Sequence, residues 1–138
     1  MKEIMTIDLF QKEDFVSHAG LDLTWKIEMD ALSFEEWKCI AHMIMEHEPR
    51  PFCSAIGIPR GGMILSKILN QYSTQNFSDP YLIVDDVLTT GGSMDEFTDS
   101  YFRNRDTKNG HFGWVVFART RPQDWVKALF QMPPISNE

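Results

Sequence analysis

The chain has 138 residues, 43% of them hydrophobic and 12% aromatic, which suits one packed domain and argues against disorder. With 13 Lys and Arg against 20 Asp and Glu, the net charge is −7. Holding nucleic acid by bulk charge is therefore disfavoured, and any bound anion must be gripped by local groups. Cys39 and Cys53 form neither a disulfide framework nor a zinc spacing, so a reducing compartment is expected. The first residues lack the apolar core of a signal peptide, and no run of about 18 apolar residues is present. These features predict a small, soluble, cytoplasmic protein without a membrane span.

Residues 1–32 are mixed in character. Leu21, Leu23, Trp25 and Ile27 alternate as one face of an extended, hairpin-like piece would. Ser33-Phe-Glu-Glu36 is a capping box, after which Trp37, Ile40, Ala41 and Ile44 recur at helical spacing until Pro49 and Pro51. Cys53–Ile58 reads as a buried strand interrupted by Pro59-Arg-Gly-Gly62, and Ile64, Leu65, Ile68, Leu69 and Tyr72 as a helix. Ser73 to Pro80 is polar and turn-rich. Tyr81–Val84 is a second buried strand, Met94, Phe97 and Tyr101 lie on a further helix, and Trp114–Ala118 is a third strand. Pro122 opens a last segment with Trp125, Val126, Leu129 and Phe130. The acidic run Glu46–Glu48 reads as a solvated face.

Strand, helix, strand, helix, strand is the signature of right-handed βαβ units in a parallel sheet, whose ligands sit at the carboxyl ends of the strands. The two most unusual loops, 57–62 and 85–93, both follow strands and are expected to face one another across one crevice.

Leu82-Ile-Val-Asp-Asp-Val-Leu-Thr-Thr-Gly-Gly-Ser93 joins an apolar strand, two acids, three hydroxyls and a Gly pair leading into a helix. Gly91 and Gly92 allow a tight turn with amides pointing inward, the helix start adds partial positive charge, and Thr89, Thr90 and Ser93 add donors. That is a nest for a phosphate monoester. Asp85 and Asp86 suit the ribose hydroxyls beyond it, or Mg²⁺ held through water. No Gly-Lys-Ser/Thr follows, so the loop is not a P-loop, and no Gly-x-Gly-x-x-Gly is present.

Val84-Asp-Asp-Val-Leu-Thr-Thr-Gly-Gly-Ser93 resembles the phosphoribosyl-pyrophosphate signature of type I phosphoribosyltransferases. The resemblance implies a three-layer, Rossmann-like α/β fold with a parallel sheet, in one domain spanning 1–138, with hood elements from residues 1–32 and 119–138. It implies Mg²⁺-dependent transfer of phosphoribose from phosphoribosyl pyrophosphate to a nucleobase. Asp85 and Asp86 would take the ribose hydroxyls and, through water, the metal. Val87, Leu88, Thr89, Thr90, Gly91, Gly92 and Ser93 would surround the 5-phosphate. Ile58, Pro59, Arg60, Gly61 and Gly62 would form the pyrophosphate loop, which in this family often carries an unusual cis peptide, with Arg60 as the charged ligand. No Ser-His-Asp or Cys-His arrangement supplies a protein nucleophile, and the implied reaction needs none.

The chain ends point to different bases. Residues 15–32 are similar to the opening segment of orotate phosphoribosyltransferases, with Lys26 and His18 as candidate polar groups for the base. Arg121-Pro-Gln-Asp-Trp-Val is similar to the purine-closing segment of bacterial xanthine–guanine enzymes, with Trp125 as the stacking residue. An orotate-like base is the leading reading, and a purine is the alternative. The family's long mobile loop has no counterpart between the second helix and the signature strand: at roughly 3.3 Å per residue, Ser73–Pro80 is too short for two strands and a lid. Closure would then come from residues 103–111 (Arg103, Arg105, Lys108) or from a neighbouring subunit of a homodimer. Without closure, the chain would be a non-catalytic regulator that binds phosphoribosyl pyrophosphate or a nucleotide.

Overall fold

The computed structural model describes residues 10–11, 15–16, 22–23, 26–27, 29–105 and 109–132. Four two-residue strands come first: β1 (Phe10–Gln11), β2 (Phe15–Val16), β3 (Asp22–Leu23) and β4 (Lys26–Ile27). They pair antiparallel, β1 with β4 and β2 with β3, in keeping with the extended, hairpin-like piece expected around residues 21–27.

Helix α1 (Phe34–His47) begins at the capping box. Ser33 Oγ accepts from the Glu36 amide at 3.2 Å, and Glu36 Oε1 accepts from the Ser33 amide at 2.9 Å. Each bond satisfies an amide that the helix itself leaves unpaired. Trp37, Ile40, Ala41 and Ile44 form its buried stripe.

Then follow β5 (Ala55–Gly57), α2 (Met63–Leu69) with a 3₁₀ turn at Asn70–Tyr72, β6 (Tyr81–Leu88), α3 (Gly92–Phe102), β7 (His111–Ala118) and β8 (Val126–Gln131). The sheet order is β5-β6-β7-β8, with every pairing parallel. Side chains alternate across it. Leu82, Val84, Phe112, Trp114 and Val116 pack against α1 and α2, whereas Ile83, Val115 and Val126 pack with Met94 and Phe97 of α3. The result is a three-layer α/β/α sandwich. Parallel strands covered on both faces must be apolar along most of their length, and β7 is.

Strand β8 corrects part of the expectation that residues 119–138 form a hood. Val126–Gln131 is the fourth strand of the sheet, because Val126 and Ala128 pack into the core on one face and Leu129 on the other. Residues 133–138 lie outside the described ones.

The opposite edge, β5, is closed differently. Asn70 turns its side-chain amide onto Ala55, accepting from its N–H at 2.7 Å and donating to its carbonyl at 2.9 Å. A single side chain thus takes both backbone groups that Ala55 would offer to a further strand. Ser73–Pro80 forms no hairpin, as its length predicts. Its Thr74 and Gln75 amides instead donate to the Phe52 and Cys53 carbonyls.

Glu48 corrects a second expectation. Glu46 is exposed, but Glu48 is only 4% exposed. It accepts from Trp114 Nε1 at 3.0 Å, from Arg50 at 3.1 and 3.2 Å and from Lys127 at 3.3 Å. Burial by itself would raise its pKa, but the Arg50 and Trp114 hydrogen bonds and the Arg50 charge bring it down to about 2.

Candidate functional site

Strands β5 and β6 are neighbours, with Gly57 opposite Val84, so the two loops meet at their carboxyl ends as expected. The Ile58 amide extends the ladder to the Val84 carbonyl at 2.9 Å. The chain then turns back at once. The Pro59–Arg60 peptide is cis, Gly62 N donates to the Ile58 carbonyl at 2.8 Å, and Met63 N to the Arg60 carbonyl at 3.1 Å. Arg60 is exposed on this turn. A Cβ on Gly61 would stand 2.3 Å from Asp86 Oδ2, so glycine there is a requirement of close approach.

The two acids differ in setting. Asp85 is buried, and its Oδ1 accepts from the Asp86 amide at 2.8 Å. Asp86 is half-buried, and its Oδ1 accepts from the Val87 amide at 2.7 Å. Burial first, and then the Asp86 charge, push the Asp85 pKa up to about 8. The pair therefore presents one carboxylate toward solvent with a second acid behind it.

Gly91 sits in the left-handed region at φ 89° and caps α3. The helix's first backbone bond is Asp95 N to the Gly91 carbonyl, so the Gly92, Ser93 and Met94 amides precede the helical ladder. Gly92 N donates to Thr90 Oγ1 at 3.2 Å. Thr90, Gly92 and Ser93 are exposed while Gly91 is buried, so the turn offers donors outward from a fixed base.

The loop after β7 supports this turn from beside it. Arg119 N donates to the Leu88 carbonyl at 2.8 Å, Thr120 Oγ1 to the Thr89 carbonyl at 3.0 Å and Gln123 Nε2 to the Gly91 carbonyl at 3.1 Å. Sequence reading overlooked Thr120 and Gln123, since nothing local marks either as a partner of residues some thirty positions earlier.

Other expected residues lie elsewhere. Trp125 is at the amino end of the sheet, the end away from the loops. Its ring packs edge-on against His111 at 4.8 Å and fills the space left by the absent side chain of Gly113. Its described contacts are with these core residues. Of the segment 103–111 proposed for closure, residues 103–105 follow α3 and residues 109–111 lead into the amino end of β7, while 106–108 lie outside the described residues. Arg105 there stacks on Tyr101, with 4.0 Å to the ring centre, and Lys108 lies outside the described residues. Lys26 pairs through its backbone with Gln11, its side chain being outside the description, as is His18.

Among the described residues no group of three or more His, Cys, Asp or Glu side chains could cage a metal. The half-buried Asp86 carboxylate, with the Asp85 acid beside it, still fits a Mg²⁺ that keeps most of its own water and takes other oxygens from a phosphate ligand. No described helix is long and apolar enough to cross a membrane.

No protein-family model and no curated protein matches the sequence. Solved structures do match. Orotate phosphoribosyltransferase from Aeropyrum pernix superposes with a TM-score of 0.70 at 16% identity, covering 90% of this chain and 88% of that one. The fold is that of the phosphoribosyltransferases. Orotate phosphoribosyltransferase from Francisella tularensis gives 0.62 at 10% identity, over 89% of this chain and 80% of that one. The xanthine-guanine-hypoxanthine phosphoribosyltransferase of Helicobacter pylori gives 0.52 at 17% identity, over 77% and 86%. In this fold the parallel sheet brings loops 57–62 and 85–93 to one end, with the loop after β7 alongside.

Proposed function

We propose that this protein is a phosphoribosyltransferase that moves phosphoribose from phosphoribosyl pyrophosphate to a nucleobase, orotate-like in the first instance, and releases pyrophosphate. The observation that carries the reading is the meeting of Gly61 with Asp86, which joins a pyrophosphate-type loop and a ribose-phosphate-type loop into one cleft. The similarity in fold to orotate enzymes supports the choice of base.

In this reading the turn at Thr89–Ser93 binds the 5-phosphate with amides and hydroxyls. Asp86 accepts from the ribose hydroxyls, with Asp85 behind it. Arg60 and the amides of the 58–62 turn receive the pyrophosphate. A base nitrogen, its proton lost to solvent, bonds to the anomeric carbon as the carbon–oxygen bond to pyrophosphate breaks, and both electrons of that bond leave with the pyrophosphate. The chain's part is alignment and stabilisation of leaving-group charge. Mg²⁺, held through water by Asp85 and Asp86, would supply further neutralisation of the pyrophosphate. We further propose that the enzyme is a cytoplasmic homodimer whose partners are otherwise small molecules.

One observation favours a second reading. Ser73–Pro80 has no hairpin, and Asn70 occupies the backbone of β5. A site without a lid strand suits a regulator that binds phosphoribosyl pyrophosphate without turnover.

The deciding experiment combines the protein with Mg²⁺, phosphoribosyl pyrophosphate and a panel of bases, with pyrophosphate release as the readout. Release with orotate supports the first reading, and release with guanine or xanthine shifts the base to a purine. Calorimetric binding without release supports the regulator. Asp85→Asn with Asp86→Asn is expected to abolish binding in a folded protein, and unchanged affinity would refute both readings.

A further inference from the structure

We propose that Gln123 is a positioning residue for the phosphate-binding turn, acting through the Gly91 carbonyl and the Asp95 carboxylate. The inference rests on the phosphoribosyl reading of the site and adds to it a residue from a different part of the chain.

The geometry is specific. One Nε2 hydrogen of Gln123 goes to the Gly91 carbonyl at 3.1 Å and the other to Asp95 Oδ1 at 3.0 Å. Gly91 is the left-handed residue from which α3 starts, and its carbonyl also accepts the first helical bond, from Asp95 N at 3.2 Å. Gln123 therefore grips the pivot of the turn and the first residue that the helix bonds back to it. Its own backbone is held, since its carbonyl accepts from Val126 N at 3.0 Å at the start of β8.

Asp95 gives this contact its chemical meaning. It is the acidic residue in the first turn of α3. A carboxylate there is welcome to an empty helix N-terminus, but it competes with a phosphate for the same positive potential. The neutral Gln123 amide ties that carboxylate to the loop between β7 and β8. Arg119 N on the Leu88 carbonyl and Thr120 Oγ1 on the Thr89 carbonyl continue the β6–β7 ladder up to this point. The whole turn is thereby registered against β7 before a ligand arrives, which lowers the ordering cost of binding.

The test titrates ribose 5-phosphate by calorimetry into the wild type, Gln123→Met, and Gln123→Met with Asp95→Asn, with thermal melting in parallel. Gln123→Met keeps the length and loses both donors, so binding is expected to weaken about tenfold. Asp95→Asn in that background is expected to restore about threefold, because the untied charge is gone. Any turnover should show KM raised at unchanged kcat, since the 5-phosphate is held alike in ground and transition states. Should Gln123→Met fail to fold, Gln123→Asn keeps the amide on a shorter stem and is expected to weaken binding similarly. Wild-type affinity in either variant overturns the inference, as does a loss that Asp95→Asn leaves untouched. A wild type that binds neither ribose 5-phosphate nor phosphoribosyl pyrophosphate overturns the reading of the site itself.

Discussion

The carboxylate of Asp86 occupies the place where a side chain on Gly61 would stand, 2.3 Å from the ideal Cβ position. The two loops of the cleft are fitted to one another at this contact, and neither could be shaped without the other.

Gly61→Ala is accordingly expected to push the Asp86 carboxylate out of place. Misplacing a binding group by about an ångström costs on the order of tenfold to a hundredfold. Stability should fall by only about 1 kcal/mol, because a side-chain tip can yield where backbone could not. Calorimetry with phosphoribosyl pyrophosphate beside a urea melt separates the two effects. A wild-type affinity would show that Asp86 does not contact the ligand.

Asp85 makes stability depend on pH in a defined direction. Burial and the Asp86 charge raise its pKa from 3.8 to about 8, so the folded state binds a proton that the unfolded state has released. That contribution is fully present below about pH 4 and is lost as pH rises through about 8. Asp85→Asn removes the dependence. The stability of the wild type relative to this variant is expected to decline from pH 5 to pH 8, measured by denaturant melts without ligand. A constant difference would contradict it.

Glu48 works with the opposite sign. Its pKa falls from 4.5 to about 2, so its stabilisation is present above about pH 4.5 and is lost as pH falls through about 2. Glu48→Ala leaves the Arg50, Lys127 and Trp114 donors without this acceptor, and an expected loss of about 3 kcal/mol at pH 7 follows. The gap between wild type and variant should shrink in acid. A loss under about 1 kcal/mol would show that water replaces the carboxylate.

Asn70→Leu tests how the β5 edge is closed. Both bonds to Ala55 are lost, and the expected cost is about 1–3 kcal/mol. Hydrogen exchange at the Ala55 amide should accelerate more than at the Leu82 amide, which donates within the sheet to the Ser54 carbonyl. Equal protection in both proteins would mean that another group closes the edge.

Local chemistry by itself determined much of this protein. The capping box of Ser33 and Glu36, the apolar runs of β6 and β7, and the acid-rich and glycine-rich turns after β5 and β6 are each written in a few adjacent residues. Their physics is short-ranged: a cap, an alternation, a glycine where φ is positive. That was enough to read a parallel α/β sheet with one cleft at its carboxyl end. The tertiary structure decided what depends on distant partners. Glu48 sits in an acidic run that reads as surface, yet it is buried because Trp114, 66 residues later, offers it an indole N–H. Trp125 reads as an aromatic cover for a base, yet Gly113 leaves a hole in the core that its ring fills. Gln123 carries no local mark at all. It matters because parallel pairing of β6 with β7 brings the loop after β7 alongside the turn after β6, where a neutral amide meets the Gly91 carbonyl and the Asp95 carboxylate together.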